Sequence, residues 1–563
     1  MSRSGGYLAA GLGLIILGLL LAHLTQTAGG IEISAVRFPG ADDRTLSAHL
    51  YVPPNASAAE PAPGILAVHG YINSREAQSG FAIEFARRGY VVLALDQPGH
   101  GYSDPPAFAG GFGGPAALQY LRALPLVDTD NIGLEGHSMG GWSVLAAAVA
   151  FPDQYRAVVL QGSSTGPPFA QPGTPTWPRN LCLVFSAYDE FSQLMWESDR
   201  ALDVASGAKL KTLFGTAESV VPGRLYGDVS LGTARKLTQP PVTHPGDHLS
   251  RAAIGDAIDW FALTLDGGQP LPTSDQRWPW KELGTLLALL GSVVLMLGLM
   301  RLLLFLPPFR PLQREQVAEP VERTRSWWLL ATLSALLPAL TFYFFFGLGE
   351  RWLPASTWLP QGITNQVLIW ALGNAALGWL LTRLLGEPVP SVSPQWLRAG
   401  GFALAVILPI YGLVAAANGW LNLDFRFWFV GLKTPSVHQF ELALRYLIPF
   451  SIYFVIVLRG LHGPLASARG VVGAYLINAA LLAGGVAALL LLQYGTLFTT
   501  GRLFTPSEPL NTIIMIQFVP LLAIVAVLST CAFRLTNDHR PGALLCALFV
   551  TWYVVAGQAT QVV

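Results

Sequence analysis

From residue 283 onward the chain is dominated by eight apolar runs, near 283–306, 327–348, 364–383, 399–418, 444–461, 471–494, 511–532 and 542–560. Each is close to the roughly 20 residues a helix needs to cross the hydrocarbon core of a bilayer. Only helices or closed barrels satisfy every backbone polar group there, so the pattern predicts an all-α polytopic region. The 444–461 run is the shortest of the eight. A ninth run covers 7–24 and leaves through Thr25-Gln26-Thr27-Ala28. The bulky Gln at the third position before a cleavage point favours an uncleaved anchor over a signal peptide. About nine transmembrane helices are therefore expected. Hydrophobic residues make up 52% of the 563 and charged residues only 12%, well below the roughly 25% of soluble domains.

The remaining stretch, 31–265, has a different texture. Short apolar strands are expected at 46–52, 64–69, 90–95, 131–136, 156–161, 180–186 and 238–243. Helical stretches near 75–88, 114–124, 139–151 and 252–264 alternate with them. That alternation predicts an α/β domain with a mostly parallel sheet covered on both faces. The expected organisation is an anchor at 1–30, the α/β domain at 31–265, a linker at 266–282 containing the Pro/Gly/Ser stretch 267–275, and the membrane region at 283–563. The zero formal net charge gives no support for nucleic-acid binding. Cys182, Cys531 and Cys546 all sit in apolar surroundings, which points to neither a disulfide framework nor a metal site.

Lys and Arg in short loops set orientation. With the N-terminus in the cytoplasm, the inner loops hold ten basic residues: Arg310, Arg314, Arg323, Arg325, Arg383, Arg398, Arg459, Arg469, Arg534 and Arg540. The outer ones hold five: Arg351, Arg426, Lys433, Arg445 and Arg502. The α/β domain is then expected outside the cytoplasm, in an integral protein of the cell membrane.

Within the α/β stretch, Gly136-His137-Ser138-Met139-Gly140 follows the strand Ile132-Gly133-Leu134-Glu135 and opens an Ala/Val-rich helix. The glycines remove Cβ atoms where strand and helix crowd, leaving the Ser138 hydroxyl exposed on a sharp turn. Two more segments add to this: Ile65-Leu66-Ala67-Val68 ending in His69-Gly70-Tyr71, and Asp96-Gln97-Pro98-Gly99-His100-Gly101-Tyr102-Ser103. Together these motifs resemble the α/β-hydrolase family over nearly all of 31–265, with esterase, dienelactone-hydrolase and serine-aminopeptidase branches closest in pattern.

The resemblance implies Ser138 as nucleophile and the backbone N–H groups of Tyr71 and Met139 as oxyanion donors. It implies a structural role for the 96–103 run and for the His69 side chain. The acid is expected just after strand 180–186, where Asp189 fits the family's turn and Glu190 is the alternative. The base is His244 or His248. His244 lies 17 positions before Phe261, the family's usual distance to the closing Trp/apolar pair, and His248 only 13. The 54 residues between Asp189 and His244, especially 209–236, and the proline-rich 163–179 are expected to cap the pocket. The implied activity is two-step acyl transfer on a carboxylic ester, with no metal or organic cofactor. A serine peptidase is the alternative. A transporter or membrane assembly protein with a regulatory hydrolase-like module is another. Against transport, the C-terminal runs carry no central Asp, Glu or Lys, and Asn374, Asn478 and Gln517 fit helix–helix contacts. The expected partners are the bilayer and a small-molecule or lipid or envelope ester; the oligomeric state is open. The outer segment 420–429 interleaves aromatics with charges, as an interfacial belt does.

Overall fold

The computed structural model describes residues 2–314, 322–387, 393–466, 470–557 and 560–563. Arg469 lies outside them, as do 315–321 of the basic 307–325 loop. The chain divides into two compact units. One comprises Leu21–Leu283, Tyr494–Pro509 and Ala559–Val563; the other, Met1–Leu20, Gly284–Gln493 and Leu510–Gln558. Two short late segments, which the sequence places in the membrane region, thus fold with the α/β unit.

The α/β unit is built on a nine-stranded sheet in the order β1-β2-β4-β3-β5-β6-β7-β9-β8. The strands are β1 Glu32–Pro39, β2 Thr45–Val52, β3 Ala62–Val68, β4 Val91–Asp96, β5 Val127–His137, β6 Ala157–Gln161, β7 Leu181–Val184, β8 Leu225–Tyr226 and β9 Arg235–Thr238. β2 runs antiparallel to both neighbours, and β4, β3, β5, β6, β7 and β9 are parallel. The central strands are buried on both faces and read as continuous apolar runs, as a parallel sheet requires. Leu66, Val68, Leu93 and Leu95 enter one core, and Ile65, Ala67, Val92 and Ala94 the other. Helices Ser79–Arg87, Gly114–Ala123, Met139–Ala150 and Arg251–Thr264 cover these faces, close to the expected stretches.

The closing strand departs from expectation. It spans Arg235–Thr238 and not 238–243. Pro240 and Pro241 have no N–H to give to a ladder. The carbonyls of Thr238, Pro240 and Val242 nevertheless accept from the N–H groups of Phe185, Ala187 and Tyr188, so the two chains stay side by side beyond the strand. The edge strands β1 and β8 were not expected. The 209–236 stretch supplies most of helix Ala208–Phe214 and the edge strand β8, which pairs antiparallel to β9. The 266–282 stretch is tied down: Arg87 and Arg88 donate to Asp275, Arg88 also to the Pro272 carbonyl, and the Glu84 carboxylate accepts from the N–H groups of Arg277 and Trp278.

Of the apolar helices, eight are long and apolar enough to cross a membrane, among the described residues. They are Ser4–Gln26, Trp278–Leu303, Gly362–Leu385, Trp396–Leu421, Val437–His462, Val471–Thr500, Pro509–Thr536 and His539–Gly557. The expected span 327–348 is a bent pair, Arg325–Leu340 and Phe342–Trp352, meeting at 52°. Pro338, inside the first, removes a backbone donor just before the bend. Counted as one span, the pair makes nine. The run 444–461 is the C-terminal part of the 26-residue helix Val437–His462. This is a membrane protein with a helical region fused to an α/β domain.

In the helical unit the N-terminal helix packs against Trp278–Leu303 through glycines. A Cβ on Gly11 would fall 2.6 Å from the Leu295 nitrogen, and one on Gly291 2.9 Å from the Gly11 carbonyl oxygen. Small residues at such contacts let helix backbones meet closely, which drives association where no hydrophobic effect is available. Asn478 donates to Thr530 at 2.8 Å, Thr341 to Asn374 at 3.1 Å, and Tyr553 to Gln517. These polar side chains therefore join helices, as expected of them.

Candidate active site

Ser138 sits between the end of β5 and helix Met139–Ala150 with φ +54° and ψ −121°. This is a strained backbone for a residue with a Cβ, and such strain collects at functional turns. Its neighbours explain how it survives. A Cβ on Gly136 would strike the Gly140 carbonyl, and a Cβ on Gly140 the Val68 carbonyl. Both glycines are thus required for strand and helix to approach. The Ser138 N–H donates to the Gln161 carbonyl of β6 at 2.8 Å, which pins the bend to the sheet. The side chain is only partly buried.

The His69-Gly70-Tyr71 turn packs directly on this bend. A Cβ on Gly70 would lie 3.1 Å from the Ser138 Cβ and 3.1 Å from His137 Nδ1. His69 is spent on structure: its Nδ1 bonds the Gly70 carbonyl at 2.7 Å and its Nε2 accepts from the Gln97 N–H at 3.1 Å. Met139, as the first residue of its helix, has no intrahelical partner for its N–H. The Asp96–Ser103 run is also structural. Asp96 accepts from the N–H groups of Arg75 at 2.8 Å and Tyr102 at 3.1 Å, and Ser103 donates to the Asp96 carbonyl at 2.6 Å.

Asp189 and His244 meet because their chain segments run side by side past β7 and β9. Asp189 Oδ2 lies 2.8 Å from His244 Nδ1, and Asp189 Oδ1 accepts from the Phe191 N–H at 2.8 Å. Burial opposes charging the His244 ring, but the charge and hydrogen bond of Asp189, with Glu190 adding, hold it above its ordinary value. Among the described residues no hydrogen bond joins Glu190, the alternative acid, to the ring. Its Oε2 accepts from the His244 backbone N–H at 2.8 Å. Burial, then the neighbouring Asp189, push its carboxyl up to about 7.

His248, the alternative base, faces elsewhere. Its ring lies 6.1 Å from that of Phe81 and 4.2 Å from that of His137. Burial, then His244, take its pKa down to about 3. Among the described residues no hydrogen bond joins Ser138 Oγ to His244. Such contacts commonly tighten only once a substrate is bound.

Three contributors escaped the sequence. A Cβ on Gly162, at φ +52°, would sit 2.8 Å from His244 Nδ1 and 3.1 Å from Asp189 Oδ2, so only glycine leaves room for the pair. His137 Nε2 donates to the His244 carbonyl at 2.9 Å. Ser186, standing where the family turn has glycine, donates to the buried Asp247. His137 was legible only as the free position of the Gly136–Gly140 motif, and Gly162 only as a glycine after a strand. An aromatic wall borders the bend: Phe169 of the proline-rich 163–179 stretch packs 4.6 Å from Trp142 and 5.8 Å from Phe112, and Tyr71 5.9 Å from Phe108.

Residues 63–190 match the family model for the alpha/beta hydrolase fold. The chain carries an α/β-hydrolase domain. A 2-hydroxy-6-oxononadienedioate/2-hydroxy-6-oxononatrienedioate hydrolase of Cupriavidus pinatubonensis is 38% identical over 88 residues, 16% of this chain and 30% of that enzyme. Its namesake in Paraburkholderia phymatum is 36% identical over 84 residues, 15% and 29% of the two chains. The chain thus spans less than a third of the curated relatives it matches. Among solved structures, an alpha/beta hydrolase from a Penicillium species is 27% identical, covering 24% of this chain and 49% of that one with a TM-score of 0.21. A hypothetical protein from Pseudomonas aeruginosa is 17% identical, covering 43% and 96%, with a TM-score of 0.31. The family-model match over 63–190 and the sheet topology together establish an α/β-hydrolase fold in a chain that also holds long apolar helices.

Proposed function

We propose that this protein is a membrane-anchored serine hydrolase that cleaves carboxylic esters, with its hydrolase domain on the extracytoplasmic side. Ser138 attacks the carbonyl while His244 Nε2 takes its proton. Asp189 on Nδ1 holds the tautomer that leaves Nε2 as acceptor and stabilises the imidazolium that forms. The backbone N–H groups of Tyr71 and Met139 receive the oxyanion, an arrangement worth about 10²–10³ in rate per donor. His244 then protonates the leaving alcohol, and water releases the acyl group from Ser138.

The observation that carries the reading is the 2.8 Å Asp189–His244 pair, whose histidine carbonyl is bonded by His137, the residue next to a serine held at φ +54°. An ordinary structural histidine needs neither a buried carboxylate on Nδ1 nor a glycine cleared for its ring. The aromatic wall of Trp142, Phe112 and Phe169 favours an apolar acyl chain over a charged peptide N-terminus. The full-length protein in detergent should hydrolyse 4-nitrophenyl esters and take up a fluorophosphonate probe. Ser138→Ala should do neither. Unchanged turnover in that variant would remove Ser138 from the chemistry.

A further inference from the structure

Within the α/β unit, the segment Tyr494–Pro509 comes from the C-terminal half of the chain and begins in the last turns of the apolar helix Val471–Thr500. It lies against the acid turn. The Tyr494 hydroxyl donates to Glu190 Oε1 at 2.8 Å, and the ring of Phe498 meets that of Tyr188 edge-on at 5.0 Å. Arg502 pairs with Asp199 a few residues further on. Glu190 spends its other oxygen on the backbone N–H of His244.

The two oxygens of one buried carboxylate thus join a tyrosine 304 positions away to the chain that bears the base. From the other side, His137 holds the His244 carbonyl. The backbone of His244 is gripped at both its donor and its acceptor, and Asp189 holds its ring at Nδ1.

We propose that Tyr494 is a positioning residue for His244, acting through Glu190, so that the segment Tyr494–Pro509, from late in the sequence but within the α/β unit, completes the hydrolase site. The inference rests on the triad reading above. Its function is geometric: with the hydroxyl gone, Glu190 Oε1 loses its donor, the carboxylate swings or protonates, and the His244 backbone loses its anchor. The donated hydrogen bond also favours the ionised carboxylate. That negative charge in turn favours the protonated His244 ring. Removing the hydroxyl therefore moves the acid limb of activity to lower pH while lowering the plateau.

The test uses the full-length protein and measures the second-order rate of fluorophosphonate labelling from pH 5 to 9 for native, Tyr494→Phe, Glu190→Gln and the double variant. Tyr494→Phe should label about tenfold more slowly at the plateau, the loss expected when a buried charged acceptor is stripped of one donor. The Michaelis constant for 4-nitrophenyl butyrate should stay within about twofold. The double variant should be no slower than the slower single one, because two residues acting through one contact are not additive. Labelling of Tyr494→Phe at the native rate, or factors that multiply in the double variant, would overturn the proposal while leaving the triad intact. Native protein that does not label would instead sink the triad and this inference with it. Should Tyr494→Phe lose its cooperative melting, Glu190→Gln carries the test alone, with the same fall expected and a native rate overturning the idea.

Discussion

On the nucleophile side, the groups that hold Ser138 are Gly136, Gly140, the Gly70 turn and the carbonyl of Gln161, all within the bend or on the strands beside it. On the acid–base side, His244 is held by groups from positions 137, 189, 190 and, through Glu190, 494, with Gly162 clearing its space. The first half is made by steric necessity: two glycines let a strand and a helix touch, and the serine is thrown outward. The second is made by hydrogen bonds converging from distant parts of the chain. A site of this kind therefore has one half that any correctly folded sheet delivers and one that depends on several loops arriving together.

Substitutions at single groups separate the two halves. The largest effect belongs to the proposed nucleophile: Ser138→Ala should lower kcat for a 4-nitrophenyl ester by about 10⁴-fold or more, with the melting temperature retained. A smaller loss would mean that the bend only shapes the pocket. Next, Asp189→Asn should cost about 10³–10⁴-fold, since the amide favours the wrong imidazole tautomer. If Glu190→Gln were the more damaging of the two, the acid would have to be reassigned. Gly162→Ala should reduce kcat by about 10²-fold, because its methyl would meet the His244 ring at 2.8 Å and displace it by a fraction of an ångström. Retained activity there would show that the acid–base half tolerates more movement than its packing implies. His248→Gln should change kcat by less than about tenfold, against several orders of magnitude for His244→Ala. The reverse pattern would exchange their roles.

The smallest effect concerns pH. In the proposed mechanism the base works when neutral, and His244 is held above its ordinary value near 6.5, so kcat/KM should rise along an acid limb whose midpoint lies above about 6.5. Glu190→Gln removes a negative charge that supports the protonated ring and should move that limb to lower pH. A limb below about 6 in the native protein would mean that burial outweighs the carboxylates.

The division between the halves also marks what the sequence could disclose. The bend, the His69–Tyr71 turn and most strands were legible because each is a local pattern: a period, a run, or glycines at fixed spacing. The long apolar helices were legible for the same reason, though the bend at 338–341 blurs one run into another. The closing strand was placed too late because Val242 and Thr243 read as strand while Pro240 and Pro241, just before them, cannot donate. Asp189 over Glu190 and His244 over His248 were preferences resting on spacing. The structure separates each pair by contact: one carboxylate takes the ring and the other takes the backbone, and one imidazole bonds Asp189 while the other lies tilted against His137. Nothing in the sequence near Tyr494 or Gly162 signals a role, because their partners lie at least 27 residues away.

The most direct test is to locate the covalent adduct. After fluorophosphonate treatment of the full-length protein, peptide mass spectrometry should find the added mass on Ser138 alone, and none when His244 has been replaced by Ala. An adduct on another hydroxyl, or one that forms on Ser138 at the native rate without His244, would contradict the account.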